Sequence, residues 1–386
     1  MSKQKLIIIS TILLDTIGLG IVLPLLPFYV ERFSTSVLAV TGLFAMYAVC
    51  SLLSAPLLGA LSDRIGRRPV MLLSIFSSAL GWTLFAAADS LGMLFVARAV
   101  DGIAAGNIPI AQSYLSDLAK DAKERAHNLG VVGAAFGIGF VVGPAIGAML
   151  SKFGATTPFW AVAALAALNL VAGLKLLPET NFSRRTKKIR LNPFFQISQA
   201  FRAKDRRAYY LAWSLFALAV GAGQSIHALF MRDVLGLSES SASLVFTAMG
   251  AVMVVNQGLL LKRFWLKFFQ EKSLAIWLFP VSALGFILSI LGGVGIFLVG
   301  IFVMMLSQSV LRVSMSSLVS SVAKEDERGE ALGVMASIMS LAMAVAPIAA
   351  GALFATYPKV PFVFAAMLLL VAFVVMRSCC LEESLG

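Results

Sequence analysis

Residues 59–69 have the sequence Gly-Ala-Leu-Ser-Asp-Arg-Ile-Gly-Arg-Arg-Pro and separate two long apolar runs, 39–61 and 69–88. Each run has the length that a helix needs to cross about 30 Å of hydrocarbon. Gly66 permits a tight turn, and the four charged residues between the runs favour water over lipid. This segment therefore predicts two membrane-spanning helices joined by a short loop at one surface.

Apolar runs with polar breaks continue along the whole chain of 386 residues. Hydrophobic residues make up 59% of the chain and charged residues 13%, which is about half the charged fraction of a soluble protein. We therefore expect an all-α polytopic membrane protein. Its first run is longer than the core of a secretory signal and carries Asp15, so it is interpreted as a mature span. The twelve predicted spans are 5–30, 39–61, 69–88, 91–114, 125–150, 157–177, 208–230, 239–261, 272–291, 294–318, 328–352 and 359–377.

The basic residues indicate the orientation of these spans. If both termini are cytoplasmic, only four of the 31 Lys and Arg lie in outer loops and two lie inside spans, which leaves 25 on the inner side. The positive-inside rule favours this topology. Basic inner loops facing anionic lipid also account for the net charge of +12, so no nucleic-acid partner is implied. The three cysteines form neither a disulfide framework nor a metal-ligand spacing, and we expect no metal.

The two halves of the chain carry related sequences. An internal repeat of this kind is typical of transporters whose substrate site lies near the midplane between the halves. The repeat predicts an N-terminal six-helix bundle at 1–177, a cytoplasmic basic linker at 178–207 and a C-terminal six-helix bundle at 208–386. The related stretches, about 203 residues apart, are Glu124-Arg125 with Leu129-Gly130-Val131, and Glu327-Arg328 with Leu332-Gly333-Val334.

Three spans carry further motifs. Span 1 contains Asp15-Thr-Ile-Gly18-Leu-Gly20, span 4 contains Arg98-Ala-Val-Asp101-Gly102, and span 5 contains Gly139-Phe-Val-Val-Gly143-Pro144-Ala-Ile-Gly147. Together with the 59–69 loop, these motifs resemble those of the major facilitator superfamily, and in particular its twelve-span drug:proton antiporters. The tetracycline/proton antiporters are the most similar group within that family.

The resemblance implies the major facilitator fold, with twelve transmembrane helices as two six-helix bundles around a central cavity. It implies a monomer in the bacterial cytoplasmic membrane that is not an enzyme and has no cofactor, with protons as the coupling ion. Two features depart from the family pattern. The second-half counterpart of the 59–69 loop, near residues 262–272, lacks the Gly and Asp pattern, and Asp101 stands where tetracycline exporters tend to have a small residue.

The charged residues inside the first-half spans are the candidates for proton coupling. Asp15 lies about 15 Å into its span at 1.5 Å per residue. A carboxylate at that depth tends to stay protonated unless a cation or water lies beside it. Arg98 and Asp101 are three residues apart and can pair on one helix face, with Gln112 further along that face. Each of these residues also has a purely structural interpretation, as a helix-to-helix hydrogen bond or a locking ion pair.

The second half supplies candidates for lining the cavity. Arg312 either lines the cavity or reaches toward the inner surface, and Gln308 precedes it by one helical turn. His227 lies near the outer end of its span, where a solvated or hydrogen-bonded histidine is favoured over a proton relay. Asn256 either lines the cavity or forms an interhelical hydrogen bond. The full set of cavity candidates is Asp15, Arg98, Asp101, Gln112, Gln224, His227, Asn256, Gln308 and Arg312.

Two further groups are assigned to conformational change. Gly139, Gly143 and Gly147 form a smooth strip for close helix packing, and Pro144 permits a bend; the resemblance makes this strip an antiporter motif where the halves meet. The second group is a latch that closes the inner side of the protein, with Asp63 accepting from Arg67 or capping a helix. The latch residues are Gly59, Asp63, Arg64, Gly66, Arg67, Arg68 and Asp117.

These observations favour a proton-coupled secondary transporter that exports hydrophobic or amphipathic small molecules by alternating access. A lipid or glycolipid flippase and a solute:proton symporter are alternatives on the same fold. A non-transporting membrane sensor or scaffold is the alternative from another class, although a scaffold has no need for costly buried charges. The partners expected are a small substrate and the lipid bilayer.

The topology is testable by cysteine labelling from outside the cell in a cysteine-free background. A membrane-impermeant maleimide should label Ser36→Cys, in the predicted outer loop 31–38, and should not label Lys187→Cys, in the predicted inner linker. The reverse labelling pattern would show that the orientation derived from the basic residues is wrong.

Overall fold

The computed structural model describes residues 3–104, 107–180, 201, 206–324 and 327–385. The predicted basic linker, 178–207, lies mostly outside these residues. Within the described ranges the chain is helical and has no strand. Lipid offers no hydrogen-bond partners, so each spanning segment must satisfy its backbone internally, and a helix does so. The expectation of an all-α polytopic protein is confirmed.

The first half contains seven helices. Helix α2 ends at Ile65 and α3 begins at Arg67 because Gly66 adopts a φ of 114°, a conformation that favours glycine. Helix α6 begins after Asp121, whose carboxylate accepts a hydrogen bond from the Glu124 backbone amide at 2.7 Å. The helices are α1 (Lys3–Val30), α2 (Val37–Ile65), α3 (Arg67–Ala86), α4 (Leu91–Ala104), α5 (Asn107–Asp117), α6 (Ala122–Leu150) and α7 (Thr157–Leu176).

The described part of the second half contains six helices of 17 residues or more and one unusual segment. Helix α9 continues as a π-helix over Asn256–Trp265, followed by a short helical turn, Leu266–Phe268. Gly292 and Gly293 separate α10 from α11, at the break expected from the sequence. The helices are α8 (Arg207–Asp233), α9 (Glu239–Val255), α10 (Glu271–Leu291), α11 (Val294–Val322), α12 (Arg328–Thr356) and α13 (Val360–Leu385).

Eleven helices of the described chain are long and apolar enough to cross a membrane. The remaining predicted span, 91–114, corresponds to α4 and α5, which flank the undescribed residues 105 and 106. Each of these two helices alone is shorter than a full span. The structure is therefore consistent with twelve spans.

The chain divides into two compact units, Met1–Leu191 with Leu237–Thr247, and Asn192–Gly236 with Ala248–Gly386. Helix pairing follows the same order in both. In the first unit, α1 packs on α6, and α3 packs on α4 and α7. In the second, α8 packs on α12, and α10 packs on α11 and α13. Counted along each half, these pairs are equivalent, as an internal repeat predicts.

An ion pair recurs at repeat-related positions. Lys5 Nζ lies 2.6 Å from Glu124 Oε1 and ties the start of α1 to the start of α6. Arg206, just before α8, pairs with Glu327, just before α12. The two glutamates are the equivalent residues of the repeated sequence. Each unit thus fixes its first and fifth spans together at the same end.

The glycine strip of α6 packs against α1 inside the first unit. A Cβ added at Gly143 would lie 2.6 Å from the Ile17 carbonyl oxygen, and one at Gly139 would lie 2.7 Å from Thr16 Cβ. Gly20 of α1 meets Pro144 in the same way, at 2.9 Å. Small residues on both helices therefore allow their backbones to touch.

This packing predicts that alanine substitution destabilises the protein at one glycine of α6 and not at another. Gly143→Ala should lower the free energy of unfolding by about 1–3 kcal/mol, because the added methyl group meets the backbone of α1. Gly133→Ala is the matched control, because nothing lies within 4 Å of the added atom. Thermal unfolding in detergent measures the melting temperature of each purified variant. Equal melting temperatures for the two variants would contradict the close contact between α1 and α6.

Candidate transport site

The centre of the candidate site is an ion pair inside α4. Arg98 is 1% exposed, and its Nη1 lies 3.1 Å from Asp101 Oδ2. The three-residue spacing places both side chains on one helix face, as the sequence indicates. The Arg98 guanidinium carries two further nitrogens, Nε and Nη2, that are buried and have no hydrogen-bond partner among the described residues. A buried guanidinium with donors to spare can receive another acceptor.

Three neighbouring helices complete the surroundings of this pair. The Tyr47 ring of α2 lies under the Arg98 guanidinium, with 4.6 Å from Arg98 Cζ to the ring centroid. Asp15 of α1 is half-buried, and its Oδ1 accepts a hydrogen bond from Ser78 of α3 at 2.9 Å. Asp15 and Asp101 are close enough for each to affect the other electrostatically. The first unit therefore gathers two carboxylates and one guanidinium from α1 and α4.

Glycines allow the helices to approach around these charges. A Cβ at Gly81 would lie 2.9 Å from the backbone nitrogen of Asp101, and one at Gly102 would lie 2.6 Å from the Tyr47 carbonyl oxygen. Gly18 leaves room for the Trp82 indole, whose ring carbon would be 2.2 Å from an added Cβ. The glycines of the span 1 and span 4 motifs thus make space next to the charged residues.

The other predicted cavity residues are distributed more widely. Gln112 is exposed on α5, a separate helix from the one that carries Arg98 and Asp101. Gln308 is nearly buried, with Nε2 unpartnered among the described atoms, while Gln224 is half-buried and Arg312 is exposed. Their roles in a cavity remain predictions.

His227 and Asn256 have well-defined packing roles in the second unit. His227 is buried among the rings of Phe286, Phe297 and Phe362, and its Nδ1 is hydrogen-bonded to the Gly223 carbonyl. Asn256 is fully buried and donates to Ser309 Oγ at 2.6 Å and to the Leu306 carbonyl at 3.1 Å. These contacts match the hydrogen-bonding interpretation that the sequence left open for each residue.

Arg67 is the centre of the loop between α2 and α3. Its Nη1 lies 2.6 Å from Asp63 Oδ1 and 2.7 Å from Ser62 Oγ, and its Nε lies 3.2 Å from Asp117 Oδ2. One guanidinium thus ties the end of α2 to the end of α5. Arg64 is exposed, and an added Cβ at Gly59 would meet nothing within 4 Å.

Sequence reasoning missed Glu179, which caps α3. Its two carboxylate oxygens accept from the backbone amides of Arg67 at 2.8 Å and Arg68 at 3.1 Å. A carboxylate at a helix N-terminus is stabilised by the free amides and by the helix dipole. An added Cβ at Gly66 would lie 2.3 Å from Glu179 Oε2, so glycine is required there for space as well as for its φ. The only sequence signal was an acidic residue following Pro178 at the expected inner surface.

The helices and buried charges define a multi-pass membrane protein with a charged site inside its first unit. The model of the Major Facilitator Superfamily matches residues 8–270 and 228–381 of the chain. The chain belongs to this superfamily and is a membrane transporter of that family.

Similar proteins cover nearly the whole chain. It is 29% identical to the tetracycline resistance protein, class C, of Escherichia coli, over 92% of this chain and 90% of that protein. It is 25% identical to multidrug resistance protein 2 of Bacillus subtilis (strain 168), over 96% and 94% respectively. Among solved structures, the human organic anion transporter MFSD10 (TETRAN) aligns with a TM-score of 0.72, at 22% identity, over 97% of this chain and 99% of that chain. The last likeness shows the fold alone.

The cap on α3 yields a stability prediction. Glu179→Ala should lower the free energy of unfolding by about 1 kcal/mol, because two amides at the start of α3 lose their acceptor. Glu330→Ala is the control, since Glu330 is an exposed acid in the first turn of α12. Thermal unfolding in detergent compares the two. An equal loss of stability in both variants would show that Glu179 acts only through its charge near a helix N-terminus and not as a specific cap.

Proposed function

We propose that this chain is a proton-coupled exporter of hydrophobic or amphipathic small molecules that works by alternating access. The observation that carries the proposal is the set of Asp15, Arg98 and Asp101, drawn together from two helices of one unit. The proposal places the protein in a bacterial cytoplasmic membrane with both termini inside. The distribution of Lys and Arg and the bacterial relatives support that placement.

Charge balance supports the coupling of protons to substrate. With all three groups ionised, the two carboxylates carry two negative charges and the guanidinium carries one positive charge, so the set has one negative charge in excess. An uncompensated charge in the membrane is costly. A proton on a carboxylate removes the excess, and so does a bound substrate that carries a positive charge. Proton and substrate are then alternative ways to neutralise one site, which is the requirement for exchange.

Asp15 and Asp101 have different surroundings, and this suggests a division of roles. Asp101 is nearly buried and pairs directly with Arg98, so its main effect is to neutralise the guanidinium. Asp15 is half-buried, so it is more accessible to water than Asp101, and it accepts a hydrogen bond from the Ser78 hydroxyl. We therefore assign proton exchange to Asp15, with Asp101 as the residue that keeps Arg98 neutralised.

The names of the relatives agree with export of antibacterial compounds. They are described as tetracycline, multidrug and quinolone resistance proteins. Their shared feature is resistance, which supports drug efflux by this chain.

The proposal is tested with purified protein in liposomes that carry an imposed pH gradient. Wild-type protein should accumulate at least one of tetracycline, a fluoroquinolone or tetraphenylphosphonium against its gradient, with matching proton movement reported by an internal pH dye. Asp15→Asn should abolish the uphill accumulation while downhill movement and the melting temperature stay near wild-type values. Asp89→Asn, at an exposed position between α3 and α4, is the matched control and should behave as wild type.

Two results would overturn the proposal. Uphill accumulation by Asp15→Asn at the wild-type rate would remove Asp15 from proton coupling. Movement of a fluorescent phospholipid between leaflets, with no compound accumulated, would identify a flippase instead of an exporter.

A further inference from the structure

The loop after α9 is the repeat counterpart of the 59–69 loop, and its chemistry is different. In the first loop, the Arg67 guanidinium is occupied by Asp63 and Asp117, and Arg68 donates to the Leu174 carbonyl. Residues 262–269 contain no acidic residue. The cations of this second loop therefore have no acidic residue of the same loop to pair with, and they can bind another partner.

Three cations lie together at this end of the helix. Lys262, Arg263 and Lys267 are exposed, and none forms an ion pair with any described residue. They fall within six consecutive positions, and Arg263 and Lys267 are four residues apart. The nearest acid along the sequence, Glu271, accepts a hydrogen bond from Ser317 of α11 at 2.6 Å. The cluster is therefore a local concentration of positive charge.

Aromatic residues follow these cations directly in the sequence. The ring centroids of Phe264 and Trp265 are 5.2 Å apart, and those of Phe264 and Phe268 are 5.7 Å apart. Phe268 is 63% exposed, and Lys267 Nζ lies 5.3 Å from its ring centroid. Exposed aromatic rings beside Lys and Arg at a helix end are typical of the membrane–water interface.

The position along the helix places this cluster at that interface. The apolar segment Glu239–Phe268 has 30 residues, whereas about 20 residues cross the hydrocarbon. Its last turns therefore extend beyond the hydrocarbon into the headgroup region. Leu259 and Leu260, one turn earlier, are exposed and provide apolar surface for an acyl chain.

The π-helix that carries these residues is fixed to the rest of its unit by buried hydrogen bonds. Trp265 Nε1 donates to Asn256 Oδ1 at 2.8 Å, across the whole π-helix. Asn256 is itself fully buried and held by Ser309 of α11. The wide turns of a π-helix are uncommon and occur often at functional sites. The cations and rings thus sit on an anchored surface, with a shallow cavity beside them lined by Leu266, Lys267, Phe268, Phe269, Gln270 and Glu271.

We propose that Lys262, Arg263 and Lys267 bind the headgroup of an anionic phospholipid, with Phe264 and Phe268 packed against its glycerol and upper acyl region. The charges complement a lipid phosphate, and clustered Lys and Arg near an anionic membrane surface are attracted to its headgroups. The site is separate from Asp15, Arg98 and Asp101, and it does not depend on what the protein transports.

Native mass spectrometry of the full chain in detergent tests the proposal, with phosphatidylglycerol and phosphatidylcholine added at matched concentrations. Wild-type protein should retain one phosphatidylglycerol preferentially. Lys262→Gln/Arg263→Gln/Lys267→Gln should weaken retention of that lipid at least fivefold. The matched control is Lys120→Gln/Lys123→Gln/Arg125→Gln, which removes three clustered cations without aromatic neighbours and should retain the lipid.

Phe268→Ala provides a second variant that leaves the charges intact and should lower retention by a smaller factor. Equal retention of phosphatidylcholine would overturn the proposal, because it would show a plain apolar surface. Equal loss in both triple variants would also overturn it, because binding would follow net charge alone. Displacement of the lipid by millimolar inorganic phosphate would identify a soluble anion as the ligand and contradict a lipid site.

Discussion

The pairing of Arg98 with Asp101 inside α4 is the interaction around which the first unit is arranged. A guanidinium in the membrane is costly without a partner, and Asp101 supplies one at 3.1 Å. Gly81 and Gly102 allow α3 and α2 to pack directly against this stretch of α4, and that packing brings the Tyr47 ring to the cation. Asp15, on α1, adds the second carboxylate, so the charge excess of the site results from helix packing.

Most of the fold could be predicted from the sequence because lipid imposes a simple rule on it. Apolar runs of the right length must be helices, and the positions of Gly66 and of Gly292 with Gly293 mark breaks between them. The pairing of Arg98 with Asp101 followed from spacing on one helix. Family membership followed from four local motifs and is confirmed by the superfamily match.

Contacts between residues distant in the chain could not be predicted in the same way. Glu179 lies more than 100 residues along the sequence from the two backbone amides that donate hydrogen bonds to it. No spacing rule links the end of one span to the start of another. The hydroxyl of Ser78 on Asp15 and the Tyr47 ring on Arg98 likewise depend on the angles between helices. The hydrogen bonds of Asn256 to Ser309 and the Leu306 carbonyl also join residues about 50 positions apart.

The two halves share a helix-packing pattern but differ where chemistry is concerned. The ion pairs Lys5–Glu124 and Arg206–Glu327 preserve the repeat, whereas the 59–69 loop and its counterpart do not. In the first loop Arg67 pairs with two acids of the same unit, whereas the second loop leaves three cations exposed beside aromatic rings. The repeat is thus kept in the helix packing and in these ion pairs, and it is absent from the chemistry of this loop.

In the proposed mechanism, a proton and a positively charged substrate neutralise the same site. Binding of tetraphenylphosphonium to purified protein in weakly buffered detergent tests it most directly, because this cation has no proton of its own. A pH-indicator dye should report about one proton released per cation bound, from one excess charge at the site. Saturable binding of the cation with no proton release would contradict the proposed exchange of a proton for a positively charged substrate.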